Sequence, residues 1–203
     1  MYQKTPWFLK QLKFTGAGAD ANEIRTERLL LRPLRYRDAK DFYEYAKDEQ
    51  VARYVLWDAH TSLNQTKAIL RSQMMQCRQE GLLTMAITMK ETRRMVGTIG
   101  LVNRDWDNHT AEVGFSLARA VWGQGLMTEA LTAYLRFIFD QNIIHRIEAL
   151  HDVDNPASGK VMKKAGMKEE GLLKERIYYK MRYASVRLYA AIRDEWLREN
   201  AAR

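Results

Sequence analysis

The chain has 203 residues, 46% of them hydrophobic, which suits one domain of ordinary size with a real core. No apolar run approaches the roughly 18 residues that cross a bilayer. The opening stretch MYQKTPWFLKQLKF lacks the apolar block of a secretory signal, and Cys77 stands alone, so an internal disulfide is excluded and the cytoplasm is the expected compartment.

The formal charge is +8. It is consistent with a nucleic-acid or ribosome surface, with attraction to an anionic small molecule, or with solubility alone. The basic residues are spread, with mild clusters at Arg32, Arg35 and Arg37 and at Lys174, Arg176, Lys180 and Arg182. Spread charge reads first as a solvated surface.

Residues 1–23 read as an N-terminal arm: an apolar cluster of Trp7, Phe8, Leu9, Leu12 and Phe14, then a loose Gly-Ala connector. The domain proper is expected over 24–203. Residues 27–34 read as a strand ending near Pro33. A helix opens at Arg37-Asp38-Ala39, and Thr61 or Ser62 caps a second one that Gly81 stops. Cys77 lies in that second helix with no reactive motif around it.

Residues 82–89 and 95–103 form a predicted hairpin about the polar turn Glu91-Thr92-Arg93-Arg94. In the next strand, 111–117, Val113, Phe115 and Leu117 alternate with Glu112, Gly114 and Ser116. Period two sends the sets to opposite faces, so a carboxylate sits beside a glycine on the polar face.

Apolar pairs recurring every four residues predict a helix over 126–141. Residues 143–153 read as a strand. Asn155-Pro156 caps a short helix that Gly166 ends, and 167–177 and 183–193 read as closing strands. The sum is a mixed α/β layer with antiparallel and parallel pairs.

The chemistry concentrates where the strand ending near Ala118 passes through Trp122-Gly123-Gln124-Gly125 into the helix at Leu126. Free N–H groups and the dipole at a helix N-terminus attract anions, and glycines let the backbone approach them. Neither a Walker-type G-x-x-x-x-G-K-[ST] nor a G-x-G-x-x-G after the first strand is present.

The stretch AEVGFSLARAVWGQGLMTEAL resembles the acetyl-CoA-binding motif of the GNAT superfamily, R/Q-x-x-G-x-G/A, with Trp122 first, Gly125 as the central glycine and Met127 last. The departures at Trp122 and Met127 are similar to the W-G-x-G-x-x-T-E-A of the ribosomal-protein alanine/serine N-terminal acetyltransferase branch. Asn155-Pro156-Ala157-Ser158, Lys164-Ala165-Gly166-Met167 and Glu170-Gly171 resemble that branch's N-x-x-S…K-x-G-F…E-G, with Met167 for Phe. The resemblance covers roughly residues 24–195.

It implies a GNAT-like, mostly antiparallel sheet of about seven strands flanked by helices, acetyl-CoA as co-substrate, and no metal. It implies pyrophosphate binding by Trp122, Gly123 and the amides of Gln124, Gly125, Leu126, Met127 and Thr128. Pantetheine would lie along Phe115 and Leu117, between that strand and the one over 147–153, with Asn155 and Ser158 on the far side. An N-cap role for Asn155 and a first-turn role for Ser158 are the plain alternatives.

The reaction is attack of a neutral amine on a thioester, helped by a general base. Glu112 is the candidate base; a strand-edge salt bridge is its other reading. A backbone N–H near Phe115 to Leu117 would hold the oxyanion. Ser158 is the candidate acid for the leaving thiolate, ahead of Tyr178 and Tyr179. His109 and His151 read as ordinary polar residues, and His151, Asp152 and Asp154 lack a recognised metal spacing.

The acceptor expected is a protein N-terminus, such as that of a ribosomal protein, or a small amine. Ribosome association and a homodimer fit the resemblance, and no membrane partner is expected. A non-catalytic basic RNA- or ribosome-binding module is the contrasting reading, with Tyr178, Tyr179 and Tyr183 available for stacking.

Overall fold

A computed structural model of the chain describes residues 23–80 and 83–201. The predicted arm, but for Glu23, lies outside the described residues.

Eight strands form one sheet: β1 (Ile24–Arg25), β2 (Leu29–Pro33), β3 (Met85–Met89), β4 (Met95–Asp105), β5 (Thr110–Leu117), β6 (Arg146–Asp152), β7 (Lys168–Tyr179) and β8 (Arg182–Ile192). Their order is β1-β2-β3-β4-β5-β6-β8-β7. All neighbours are antiparallel except β5 and β6. The strand beyond the seven expected is β1, two residues that pair with Leu30 and Leu31.

The helices are α1 (Ala39–Ala46), α2 (Glu49–Ala52), α3 (Leu63–Glu80), α4 (Leu126–Asp140), α5 (Pro156–Lys164) and α6 (Arg193–Glu199). Two of these escape the sequence reading. The short α2 is started by Asp48, whose carboxylate accepts from the Gln50 N–H at 2.9 Å. The other, α6, follows β8 without a loop and is anchored by buried Trp196, whose indole N–H donates to the Ala165 carbonyl at 2.8 Å.

α4 crosses one face of the sheet. Its stripe from Leu126 and Met127 to Ile138 and Phe139 is buried against Leu29, Leu31, Ile87, Ile99 and Val113. Each such side chain contributes about 1.5–3 kcal/mol on full burial, so packing fixes this helix firmly. α1 and α3 cover the other face over β3 and β4, with Phe42, Tyr45, Val51, Leu70 and Met95 at the centre.

The first basic cluster is partly internal. Arg32 is buried and makes a two-pronged pair with Asp38, at 2.8 and 2.7 Å. Arg35 lies 3.5 Å from Glu23. These pairs brace β2 against the turn that follows it and against Glu23.

Candidate functional site: a cleft between parting strands

β5 and β6 run parallel, but they pair only from Thr110↔Arg146 to Glu112↔Glu148. Beyond Glu112 the two strands are unpaired with each other, while β5 remains paired to β4 and β6 to β8. A cleft therefore opens in the middle of the sheet, with one strand edge on each side. The peptide groups of β5 alternate between its two edges. Ala118 N–H donates to Val96 on the β4 side at 2.7 Å, so Leu117 and Phe115 direct theirs into the cleft. The Leu117 carbonyl accepts from the Trp122 indole at 2.7 Å, which folds the loop back over the strand end.

That loop ends at the N-terminus of α4. Gly123 and Gly125 have φ of +75° and +76°, a left-handed conformation that costs other residues about 1–2 kcal/mol. Gly125 is the N-cap and supplies no capping side chain. The first i→i−4 bond of this end is Glu129 N–H to the Gly125 carbonyl, at 3.1 Å. The N–H groups of Leu126, Met127 and Thr128 thus have no acceptor within the helix. Leu126 and Met127 are buried in the core, so only their backbone faces the loop. A bare, glycine-lined helix end beside an open strand edge fits a pyrophosphate joined to an extended arm.

Across the cleft β6 turns directly into α5. Asn155 caps it: its Oδ1 accepts from the Ser158 N–H at 3.5 Å, and its Nδ2 donates to Ser158 Oγ at 3.0 Å. Both residues are half-buried. The helix lies close to β6, because a Cβ at Gly159 would stand 2.6 Å from His151 Nε2. His151 is buried, its Nδ1 2.8 Å from the Asp152 carbonyl, and its ring packs on Tyr189. It is a packing residue under α5.

Glu112, half-buried, and Glu148 are register partners across the parallel pair, where the cleft begins. Glu148 accepts from Arg146 Nε at 2.7 Å, and Arg146 also binds Glu170. Among the described residues Glu112 shows no hydrogen bond and no ion pair. Burial raises its carboxyl above the ordinary 4.5, the Glu148 charge adds to the rise, and Arg176 opposes it. The salt bridge expected as the alternative belongs to Glu148. The sequence reading missed that neighbour, because only the parallel register brings it alongside.

The far wall is the β7–β8 hairpin. Asp152 is buried and accepts from the Tyr179 phenol at 2.6 Å and from Arg182. Burial and this bond push the Tyr179 phenol up to about 12. The hairpin turns through Lys180 and Met181, both with positive φ. Lys180 then donates to the Ala52 carbonyl, so the hairpin tip is tied to α2. Arg119, just past β5, holds Asp48 at 2.6 Å beside the same short helix. Tyr178 and Tyr183 meet in a tilted ring contact, centroids 4.9 Å apart, on the exposed side of the hairpin. Of the two tyrosines weighed as acids, Tyr179 is thus bound to a carboxylate and Tyr178 is exposed. His109 lies in an exposed loop, its Nδ1 3.1 Å from the Ile143 carbonyl. No group of three or more His, Cys, Asp or Glu that could hold a metal lies among the described residues.

Comparison with known proteins agrees with this geometry. The family model described as acetyltransferase (GNAT) domain matches residues 28–168, more than half of the chain. An uncharacterized N-acetyltransferase of Bacillus licheniformis, p20, is 30% identical over 174 residues, covering 85% of this chain and 97% of that protein. The ribosomal-protein-serine acetyltransferase of Escherichia coli is 33% identical over 116 residues, 57% of this chain and 64% of that one. Among solved structures, RimL, a ribosomal L7/L12 alpha-N-protein acetyltransferase in complex with coenzyme A, superposes with a TM-score of 0.77. It is 22% identical and covers 84% of this chain and 98% of that one. With a cleft of this shape beside a bare helix end and a family match across both, the chain belongs to the GNAT superfamily and is an acetyl-CoA-dependent N-acetyltransferase.

Proposed function

We propose that the protein moves an acetyl group from acetyl-CoA to the N-terminal α-amine of a protein, with a ribosomal protein as the leading acceptor, in the cytoplasm. The observation that carries the chemistry is the half-buried, unpaired Glu112 where β5 and β6 part. The amine nitrogen attacks the thioester carbonyl, the C–S bond breaks, and the thiolate leaves. Amides of Gln124 to Thr128 hold the pyrophosphate, and those of Phe115 and Leu117 lie along the arm of the donor. Glu112, directly or through water, takes the proton that the attacking nitrogen loses, which its raised affinity for a proton suits. Ser158 Oγ, at the opposite lip, relays a proton to the thiolate and regains one from water as Glu112 returns its own to solvent, and Asn155 orients it.

An α-amine, with a pKa of about 7.7–8.0, is partly neutral at physiological pH, whereas a lysine amine at about 10.4 is not. One carboxylate base suffices for the first. Support for a ribosomal acceptor comes from the names of relatives such as the ribosomal-protein-serine acetyltransferase of E. coli. Acetyl transfer from acetyl-CoA to a panel of N-terminal peptides and small amines, read by intact mass, tests the reading. Peptides with Ala or Ser at the N-terminus are expected to gain one acetyl group. Acetylation of small amines alone would overturn the protein-acceptor assignment. The RNA-binding reading keeps its exposed Tyr178 and Tyr183, but two of its basic side chains are engaged within the fold, Arg182 by Asp152 and Lys180 by α2.

A further inference from the structure

A helix N-terminus that must receive an anion has a built-in competitor when its own first turn carries a carboxylate. A carboxylate in the first turn is attracted to the positive end of the helix dipole and adds a negative charge where the anion must come. α4 has such a residue in Glu129, yet Glu129 does not cap. Its Oε1 accepts from the Thr26 hydroxyl at 2.6 Å and from the Arg28 N–H at 2.8 Å. Its Oε2 accepts from Arg28 Nε at 2.7 Å. Both oxygens are taken up by donors of the β1–β2 turn, and neither bonds an N–H group of the first turn of α4. Burial works to raise the Glu129 carboxyl, but these bonds outweigh it and hold it below the usual range, so the carboxylate is ionised.

The same guanidinium reaches the loop. Arg28 Nη1 donates to the Gln124 carbonyl at 2.9 Å, the peptide between the two left-handed glycines. Nη2 lies 3.7 Å from where a Cβ on Gly125 would stand. The turn that carries Arg28 is itself braced by Lys90, whose side chain donates to the Thr26 carbonyl and whose N–H donates to the Arg28 carbonyl at 3.0 Å.

We infer that Arg28 is a positioning residue for acetyl-CoA: by binding Glu129 and the Gln124 carbonyl together, it withdraws and neutralises the carboxylate that would otherwise occupy the helix end, and sets the loop amides toward the pyrophosphate. This rests on the loop as the pyrophosphate site. It also explains why an edge turn far away in sequence is pinned to α4.

The test is acetyl-CoA binding by calorimetry to the full chain. Arg28→Gln leaves the Glu129 charge unbalanced beside the phosphates, and Kd is expected to rise about tenfold, or about 1.4 kcal/mol. Adding Glu129→Gln removes that charge, and the double variant is expected to recover to within about threefold of wild type; a clamp that is merely structural predicts no recovery. The Arg28→Gln defect is also expected to shrink as salt rises. Should Arg28→Gln fail to fold, Glu129→Gln alone decides. Gln keeps an acceptor for Thr26 and leaves the guanidinium charge free, so it is expected to bind acetyl-CoA more tightly than wild type. Wild-type affinity in Arg28→Gln, a double variant no better than the single, or weaker binding by Glu129→Gln would each overturn the inference. A wild-type protein that does not bind acetyl-CoA would instead overturn the loop assignment beneath it.

Discussion

The two lips of the cleft are built from different materials. The donor lip, from Trp122 to Thr128, works through backbone: two left-handed glycines, an uncapped helix end, and side chains at Leu126 and Met127 that face the core. The acceptor floor works through side chains: Glu112 and Glu148 side by side, Arg146 holding Glu148 to Glu170, and the β7–β8 hairpin tied to α2. Backbone donors bind any molecule that shares the pyrophosphate, so this lip sets the family chemistry. In the proposed function, side chains on strands from distant parts of the chain set the acceptor. The difference predicts that substitutions on the floor change rate and pH dependence, whereas substitutions on the loop change donor affinity alone.

The largest expected effect is on the floor. Glu112→Gln removes the base and should lower kcat/KM for acetyl transfer by about 10²-fold or more, with acetyl-CoA affinity unchanged. The pH dependence sharpens this. The base must be ionised and the amine neutral, so activity falls as pH drops through each pKa. Glu112 titrates above 4.5, and an α-amine at about 7.7–8.0. Below both, log kcat/KM should rise with a slope near two, and in Glu112→Gln with a slope near one. Stability should move oppositely. A carboxyl whose folded pKa is raised favours folding below its unfolded value, and that contribution is lost as pH rises through the folded one. Glu112→Gln should therefore raise the melting temperature at pH 8 more than at pH 4. A thermal-shift series of the opposite sign, with Glu112→Gln lowering the melting temperature more at pH 8 than at pH 4, would place Glu112 in a salt bridge after all.

The same contrast decides what the sequence could show. The loop and the cap were legible because their signals are local: the glycines adjoin the amphipathic run behind them, and Asn155 and Ser158 stand three residues apart. Glu112 was legible by strand alternation. Glu148 was not, because its position depends on a parallel register that neither strand encodes alone. Arg28 read as one of many spread charges, and only the fold sets it against Gln124 and Glu129. The bulge in β4, where Val102 falls between the paired Leu101 and Asn103, left no mark in the period-two pattern. Asp48 as a cap for α2 and the acidic start of α6 at Asp194 and Glu195 were signals in plain sequence, but both helices are too short to show periodicity.

Two glycines break the comparison from the donor side, one through packing and one through conformation. Gly159→Ala drives a methyl to 2.6 Å from the buried His151 ring. Overpacking of this kind costs about 1–3 kcal/mol, so melting should fall by several degrees. His151→Ala in the same chain removes the collision and should leave the added Cβ harmless. Gly125→Ala meets no close neighbour, since Arg28 Nη2 stands 3.7 Å away, but its φ is +76°. The strain of about 1–2 kcal/mol should appear as a roughly tenfold weaker acetyl-CoA Kd with kcat at saturation little changed.

The smallest effect tests whether the two lips separate cleanly, because Ser158, in α5 across the cleft from the loop, flanks the proposed donor site and is proposed to give a proton. Its hydroxyl accepts from Asn155 Nδ2 and has its own hydrogen free to donate. A thiolate is a good leaving group that water can also protonate, so water can replace a serine donor in part, and the loss should be modest. Ser158→Ala is expected to lower kcat about fivefold, near 1 kcal/mol, with acetyl-CoA Kd within twofold of wild type. The α5 cap survives the change, since Asn155 Oδ1 bonds the Ser158 N–H and not its side chain. A Kd that weakens while kcat stays constant would make Ser158 a contact of the donor lip, and the division between affinity and rate would then run along the cleft itself.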